Sequence, residues 1–461
     1  MEKKENKMGT MPVNKLLLSM SVPMMISMLV QALYNIVDSA FVSQISGTAG
    51  QDALNALSLS FPIQSLMIAV STGTAVGFAA FLSKKLGEKD FLTANKAAMN
   101  GIFLEICGAA LFLIIGLTLP YLFFSSQTEN TTIIGYGKDY LSIICCFSIA
   151  LFMQVGFERM LSSTGRTFFS MITQIVGALT NIFLDWVLIF GNLGAPKLEV
   201  KGAAIATIIG QATAATLAII FNVTINHDIK LRFRKPEFMI IKQIYAVGLP
   251  TILMQTVGSL MVFGVNMILI SFTEAATAVF GVFFKLQGFV FMPLFGLNNG
   301  MVPIIAYNFG AGKNERITKT IRLAATYAIS LGLIGFAVFQ IMPDKLLAIF
   351  GAQGEMLDIG IPALRTISII FIVAGFSIVS ISTLQALGRG FDSLIISFAR
   401  QIVVLLPAAF GLSMTGDVNM IWWAFPIAEL VAVSISAVLL RRTFLKYHLL
   451  KPRETESRKN N

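Results

Sequence analysis

Two aspartates define the chemistry open to this chain. Asp38 sits in SVPMMISMLVQALYNIVDSAFVSQ and Asp185 in NIFLDWVLIFG, each inside a run otherwise apolar enough to lie in a bilayer. A carboxylate at the centre of such a span costs about 2.5 to 3.5 kcal/mol on insertion scales, so it faces a bundle interior or a watery cavity and marks an ion or proton path. Gln31, Asn35 and Asp38 recur at i, i+4 and i+7 and share a helical stripe, while Asn181 and Asp185, four apart, share another. Both aspartates fall about 9 Å of helix rise before the outer ends of their spans. Thr207 in GAAIATIIG re-enters from outside at comparable depth. Two carboxylates, an amide and a hydroxyl make a cation or proton site, because two nearby carboxylates in low dielectric cannot readily both ionise. Either one keeps H+, or a cation such as Na+ enters between Asp38 and Asp185. The competing reading is an internal hydrogen-bond network that transports no ion. Pro23, on an early turn of the segment that carries Asp38, removes a backbone hydrogen bond and permits a bend.

Other polar groups are secondary candidates for a cavity: Gln31, Asn35, Glu158 and Gln287. Glu158 and Arg159, in QVGFERMLSSTGR, fall near the inner end of a span, where a functional and an interfacial role both stand. Glu105, Lys285, Arg365 and Glu429 could line a central cavity, without assignable partners. Cys107, Cys145 and Cys146 lie in apolar runs and lack metal-site spacing. There is no GxxxxGK[ST] phosphate loop, GAGKNE lacks that spacing, and the two histidines, His227 and His448, sit near polar loop or tail sequence. Enzyme and ATP-driven pump readings fail on these grounds, no cofactor is implied, and transport driven by an ion gradient remains.

The elements that must position these groups are helices in a membrane. Of 461 residues 56% are hydrophobic and 13% charged, and the mean hydropathy of +0.78 exceeds what a soluble core of this length needs. The fold class is all-α, a polytopic membrane protein. The polar start MEKKENKMGTMPVNK does not read as a cleavable signal. Twelve apolar segments recur, at about 16–44, 53–82, 97–123, 139–161, 168–190, 202–225, 243–271, 276–305, 318–343, 361–386, 394–415 and 420–440. With the N-terminus inside, the cytoplasmic segments hold 28 Lys and Arg and the outer loops hold 4, Lys138, Lys197, Lys201 and Lys345. That bias puts both termini in the cytoplasm and explains the net charge of +10 as a topology signal rather than a nucleic-acid face.

The chain repeats itself at an offset of 223. Gln64 falls on Gln287, Gly73 on Gly296, Gly77 on Gly300, Gly87 on Gly310, Pro120 on Pro343, Gly165 on Gly388 and Arg166 on Arg389. Two six-helix lobes follow, residues 1–225 and 243–461, the latter with a basic cytoplasmic tail, joined by a cytoplasmic linker at 226–242; an even helix count makes them parallel repeats. The GxxxG pairs Gly73/Gly77 and Gly296/Gly300 read as helix packing, and Pro293 and Pro303 suggest a bent helix. The repeat fails at the carboxylates: Asp185 has Ala408 as its mate, Asn181 has Val404, Thr207 has Leu430, and Asp38 meets Val265 or Asn266. The paired acids belong to the first lobe alone.

NIVDSAFVSQ, LSSTGRTFFSMITQIVGALTNIFLDWVLIFG followed by GAAIAT, and FGLNNGMVPIIAYNFGAGKNERI together resemble the multidrug and toxic compound extrusion (MATE) family, in particular its bacterial MepA-like exporters. The likeness spans nearly the whole chain. It implies a twelve-helix bundle of two lobes that exports organic cations and other amphipathic small-molecule drugs in exchange for H+ or Na+. By position, Asp38, Asn181, Asp185 and Thr207 are similar to that family's cation or proton site and Pro23 to its bending proline. Trp186 and Ser43 depart from the family pattern, where Pro and Gly are usual. The expected setting is the bacterial plasma membrane, with lipid as the surroundings, no nucleic-acid partner and a monomeric state. The rival is a lipid-linked saccharide flippase of the same superfamily, which predicts that Lys285, Arg365 and Arg400 converge in the cleft.

Overall fold

The computed structural model describes residues 5–45, 48–232 and 235–449, so Lys3, Lys4, Arg234 and the tail from 450 lie outside the described residues. In chain order the helices are α1 Lys7–Thr10, α2 Val13–Ser43, α3 Thr48–Gly87, α4 Phe91–Thr118, α5 Pro120–Ser125, α6 Thr131–Cys146, α7 Ile149–Ser163, α8 Thr167–Phe190 and α9 Val200–Thr224. They continue as α10 Phe238–Ile270, α11 Glu274–Gly310, α12 Asn314–Ile341, α13 Pro343–Ala348, α14 Glu355–Ser368, α15 Ile370–Ala386, α16 Gly390–Phe398, a π-helical stretch Ala399–Leu405, α17 Leu406–Ser413, α18 Val418–Ile421 and α19 Ala424–Lys446. No strand occurs among the described residues.

Among the described residues ten helical segments are long and apolar enough to cross a membrane, and α6 with α7 and α14 with α15 make two more, bent by 45° and 46°. The fold is thus an all-α membrane protein with twelve crossings when each bent pair counts as one. Neither break has a proline at its bend. At the first, Phe147 leaves helical geometry (φ −104°, ψ 18°) and the Ser148 hydroxyl donates to the Ala109 carbonyl at 3.4 Å. By contrast, α2 continues through Pro23 and α11 through Pro293 and Pro303. Large apolar side chains such as Leu117, Phe263, Ile334 and Met414 stand exposed, as lipid-facing positions require. Hydroxyls such as Thr180 and Thr213 donate to the carbonyl four residues back, the partner available within the helix itself.

Two compact units emerge. The N unit comprises residues 23–82 and 90–252; the C unit takes the chain up to Val22, Ser83–Lys89, and Leu253 onward. The chain passes from one unit to the other inside α2, between Val22 and Pro23, and inside α10, two residues beyond Pro250. Each proline leaves a carbonyl one turn earlier without its amide partner, which lowers the cost of redirecting the helix. In the C unit the residues ahead of Pro23 are held by cations. The Arg316 guanidinium donates to the Met8 and Met11 carbonyls at 3.0 and 2.7 Å, and Lys313 Nζ to Glu5 Oε1 at 2.6 Å. That ammonium holds the Glu5 carboxyl below the usual glutamate range.

The cores differ in character. In the N unit Phe112, Phe124, Leu141, Phe152 and Ile189 are buried together. The C unit gathers Phe280, Phe283, Phe371, Trp422 and Phe425, with Phe283 stacked on Phe371 at 6.4 Å. The repeat is visible in local detail. Gly165 and Gly388, mates at the 223 offset, close α7 and α15 at φ +86° and +79°, and the arginine that follows each pairs with an aspartate, Arg166 with Asp228 and Arg389 with Asp392. The GxxxG glycines act in packing: a Cβ at Gly77 would lie 2.3 Å from the Ile244 carbonyl oxygen.

Candidate functional site

In the N unit α8 and α9 approach until their backbones touch. A Cβ on Gly210 would stand 2.8 Å from the Gly177 carbonyl oxygen and 2.9 Å from Asn181 Cβ, closer than real side chains come. Asn181 follows Gly177 by one turn and Thr207 precedes Gly210 by almost one, so the glycine contact sets the amide against the α9 backbone. With its nitrogen turned toward Asp185, Asn181 donates to Oδ2 at 3.2 Å while its oxygen accepts from the Thr207 backbone N–H at 3.1 Å. The reverse orientation leaves Asp185 unmatched and reaches only the Thr207 hydroxyl, at 3.3 Å. The first orientation satisfies both groups and is the one that fits the site. Asn181 and Asp185 are 3% and 0% exposed.

Asp38 comes from α2. It lies five residues before the end of its helix at Ser43, as Asp185 does before Phe190. The two carboxyl groups are within hydrogen-bonding reach of each other. Each keeps one buried oxygen, Oδ1, that no donor reaches. Such an arrangement accommodates a bound proton or a small cation and is costly without one.

The structure therefore assembles Asp38, Asn181, Asp185 and Thr207 in one place. Two tyrosines not singled out from the sequence, Tyr34 and Tyr140, also lie within electrostatic range of Asp38, and Tyr140 reaches Gln64. Tyr34 was recoverable: four residues before Asp38, it shares its helix face. A cavity of about 130 Å³ adjoins the cluster, lined by Met28, Gln31 and Tyr34 of α2, by Asn181 and Thr207, and by Glu158. It runs along α8 from Ser170 to Asn181, about 16 Å of helix rise. Glu158 is 8% exposed and accepts from Thr173 at 3.0 Å and Gln154 at 3.2 Å.

Two sequence candidates are not part of this cavity. Asn35 is exposed; at about 100° per residue it points about 60° round the helix from Asp38, so the polar stripe is Gln31, Tyr34 and Asp38 instead. Gln287 lies on α11 in the C unit. Of the other charged groups there, Arg400 is paired with Glu429 at 3.3 Å and Lys285 stands over the Phe350 ring at 5.8 Å. No group of three or more His, Cys, Asp or Glu suited to a metal occurs among the described residues, and all three cysteines are free.

Comparison with known proteins agrees with the architecture. The chain is 26% identical over 430 residues to the multidrug export protein MepA of Staphylococcus haemolyticus (strain JCSC1435), covering 92% of this chain and 93% of that protein. It is 28% identical over 444 residues to MepA of Staphylococcus aureus (strain NCTC 8325 / PS 47), covering 93% of each. Among solved structures, the MATE multidrug transporter DinF-BH superposes with a TM-score of 0.87 at 31% identity, over 97% of this chain and 100% of that one. An outward-facing multidrug resistance MATE family transporter of the MOP superfamily gives 0.89 at 23% identity over 97% and 99%, a likeness of fold. The MatE family model matches residues 23–187 and 250–410, one stretch in each half, and the chain belongs to that family of membrane transporters.

Proposed function

We propose that this chain is a secondary active multidrug exporter, which moves organic cations and amphipathic drugs out of the cell in exchange for H+ or Na+ by alternating access. The observation that carries the reading is the Asp38–Asp185 pair, buried, mutually adjacent and with one unserved oxygen on each partner. A hydrogen bond between two carboxyl groups requires a proton on one of them, and a cation between them would use the same two free oxygens. The Asn181 amide nitrogen steadies Asp185, and its oxygen is held by the Thr207 backbone N–H.

Coupling follows from α2. The same helix carries Asp38 and, on the turns before it, Met24, Met28, Gln31 and Tyr34 of the cavity wall. Neutralising Asp38 changes the charge on that wall, and Pro23 gives the helix a place to shift. Uptake of the external cation thereby displaces the drug, and the lobes 1–225 and 243–461, joined by the linker 226–242, rearrange to present the site to the inside. The lysine and arginine bias supports cytoplasmic termini in a bacterial plasma membrane, and a complete site within one chain supports a monomer. The flippase alternative needs Lys285, Arg365 and Arg400 to act together; the engagement of Arg400 by Glu429 and of Lys285 by Phe350 favours the exporter.

The test is drug efflux from reconstituted vesicles under a proton gradient and, separately, a sodium gradient. One of the two should accelerate ethidium efflux severalfold over no gradient. Equal efflux in all three conditions, or ion flux independent of drug, would refute exchange.

A further inference from the structure

Three of the carboxamides that line the cavity have nothing in the protein to bond to. Gln31 of α2, Gln174 of α8 and Gln211 of α9 are half-buried in its wall, and among the described residues no donor or acceptor of the chain pairs with any of them. A fourth, Gln154, is engaged: its Nε2 donates to Glu158 Oε1 at 3.2 Å. An amide carried into a membrane span without a partner is costly, and polar groups kept there mark a cavity and what passes through it. The same helices that build the aspartate site place these three. Gln31 precedes Asp38 by seven residues, Gln174 precedes Asn181 by seven and Gln211 follows Thr207 by four, so each shares a helix face with a residue of that site, one or two turns away. Gln174 lies almost a turn before Gly177 and Gln211 directly after Gly210, so the backbone contact that fixes Asn181 also fixes where these two amides emerge. At the 223 offset the C unit has Ser397 and Ser434 instead, and both are served: Ser397 Oγ accepts from Gln401 Nε2 at 2.7 Å and the Ser434 hydroxyl donates to the Leu430 carbonyl at 2.9 Å.

With this cavity as the drug site, a reading on which the proposal rests, we propose that Gln31, Gln174 and Gln211 form an amide belt that selects drugs whose aromatic frame carries hydrogen-bonding substituents, such as amino groups, over equally charged drugs that lack them. Each carboxamide has an oxygen that accepts and a nitrogen that donates, and turning the amide presents either one. An aryl amine is met by Oε1 and a carbonyl or ring nitrogen by Nε2, which suits the belt to many drugs of this kind. Met24 and Met28 give the aromatic frame an apolar surface that adapts to its shape. A ligand without such substituents strips water from the amides and returns no bond, so its binding is penalised whatever its charge.

Ethidium carries two ring amino groups, and 5-ethyl-6-phenylphenanthridinium is the same monovalent cation without them. Competition between the two for full-length protein in lipid nanodiscs, with empty nanodiscs as the lipid background, therefore reads the amides and not the charge. Wild type should bind ethidium about tenfold tighter. The triple variant Gln31→Met/Gln174→Met/Gln211→Met replaces each amide by an apolar chain of similar length and should bring the preference to about one or below. Each single variant should lower it about twofold, and the singles carry the test if the triple variant fails to fold. Equal affinity of the wild type for the two cations overturns the belt, as does a tenfold preference that persists in the triple variant or, where that does not fold, in all three singles. Gradient-driven efflux of both cations from vesicles, measured in parallel, separates this failure from failure of ion-coupled export. Efflux that persists alongside a preference of one removes the belt and leaves export; absent efflux alongside the tenfold preference removes export and leaves the belt.

Discussion

The same stretch of the repeat is built in two ways. In the N unit α8 and α9 present Gly177, Asn181, Asp185, Ala206, Thr207 and Gly210; 223 residues on, the C unit has Arg400, Val404, Ala408, Glu429, Leu430 and Val433. Where Gly177 lets its helix close on Gly210, Arg400, inside the π-helical stretch Ala399–Leu405, forms an ion pair with Glu429 at 3.3 Å. Where Asn181 and Asp185 project, Val404 and Ala408 pack against the aromatic core. The lesson is that a buried aspartate needs a local supply of donors. Close glycine packing provides it in the N unit by bringing the Thr207 amide to Asn181 and Asn181 to Asp185. The C unit fills the corresponding volume with rings and meets its own buried acid, Glu429, with the Arg400 guanidinium instead of a second acid.

That contrast can be broken from either side. Placing an acid in the C unit by Ala408→Asp should set a carboxylate at a half-buried position against the aromatic core and cost about 3 kcal/mol, read as a clear fall in melting temperature in detergent. An unchanged melting temperature would mean that the C unit is as hospitable to the charge as the N unit. Wedging the glycine contact by Gly210→Ala should cost about 1 to 3 kcal/mol through backbone collision and slow export severalfold, because Asn181 is pushed off Asp185. The matched change Val433→Ala, at a half-buried position without such a contact, should cost about 1 kcal/mol or less in the same assay.

Much of the site was legible because polar residues are conspicuous in apolar spans. Asp38, Asn181, Asp185 and Thr207 stand out by type, and the helices that carry the two aspartates end five residues beyond each, at Ser43 and at Phe190. What the sequence concealed depends on a partner helix. Gly177 and Gly210 are 33 residues apart and fall into no motif, yet their mutual contact sets the Asn181 geometry. Glu105 of α4 packs against Gly156 of α7, a contact between helices that periodicity within one helix does not reveal. The bend between α6 and α7 carries no proline to announce it; Ser148, whose hydroxyl donates to the Ala109 carbonyl of another helix, stands at the break. Asn35 misled because i, i+4, i+7 spacing admits a spread of about 60° around a helix, enough to move a side chain from the cavity to the exterior.

The most direct test of the account is ethidium efflux driven by whichever ion gradient powers the wild type, repeated with Asp38→Asn and Asp185→Asn inserted in vesicles to the same level. Both substitutions keep side-chain shape and remove the charge, so each should bring gradient-driven efflux down to the rate of protein-free vesicles while leaving the melting temperature within a few degrees. Efflux at the wild-type rate from either variant would contradict a coupling site at the Asp38–Asp185 pair.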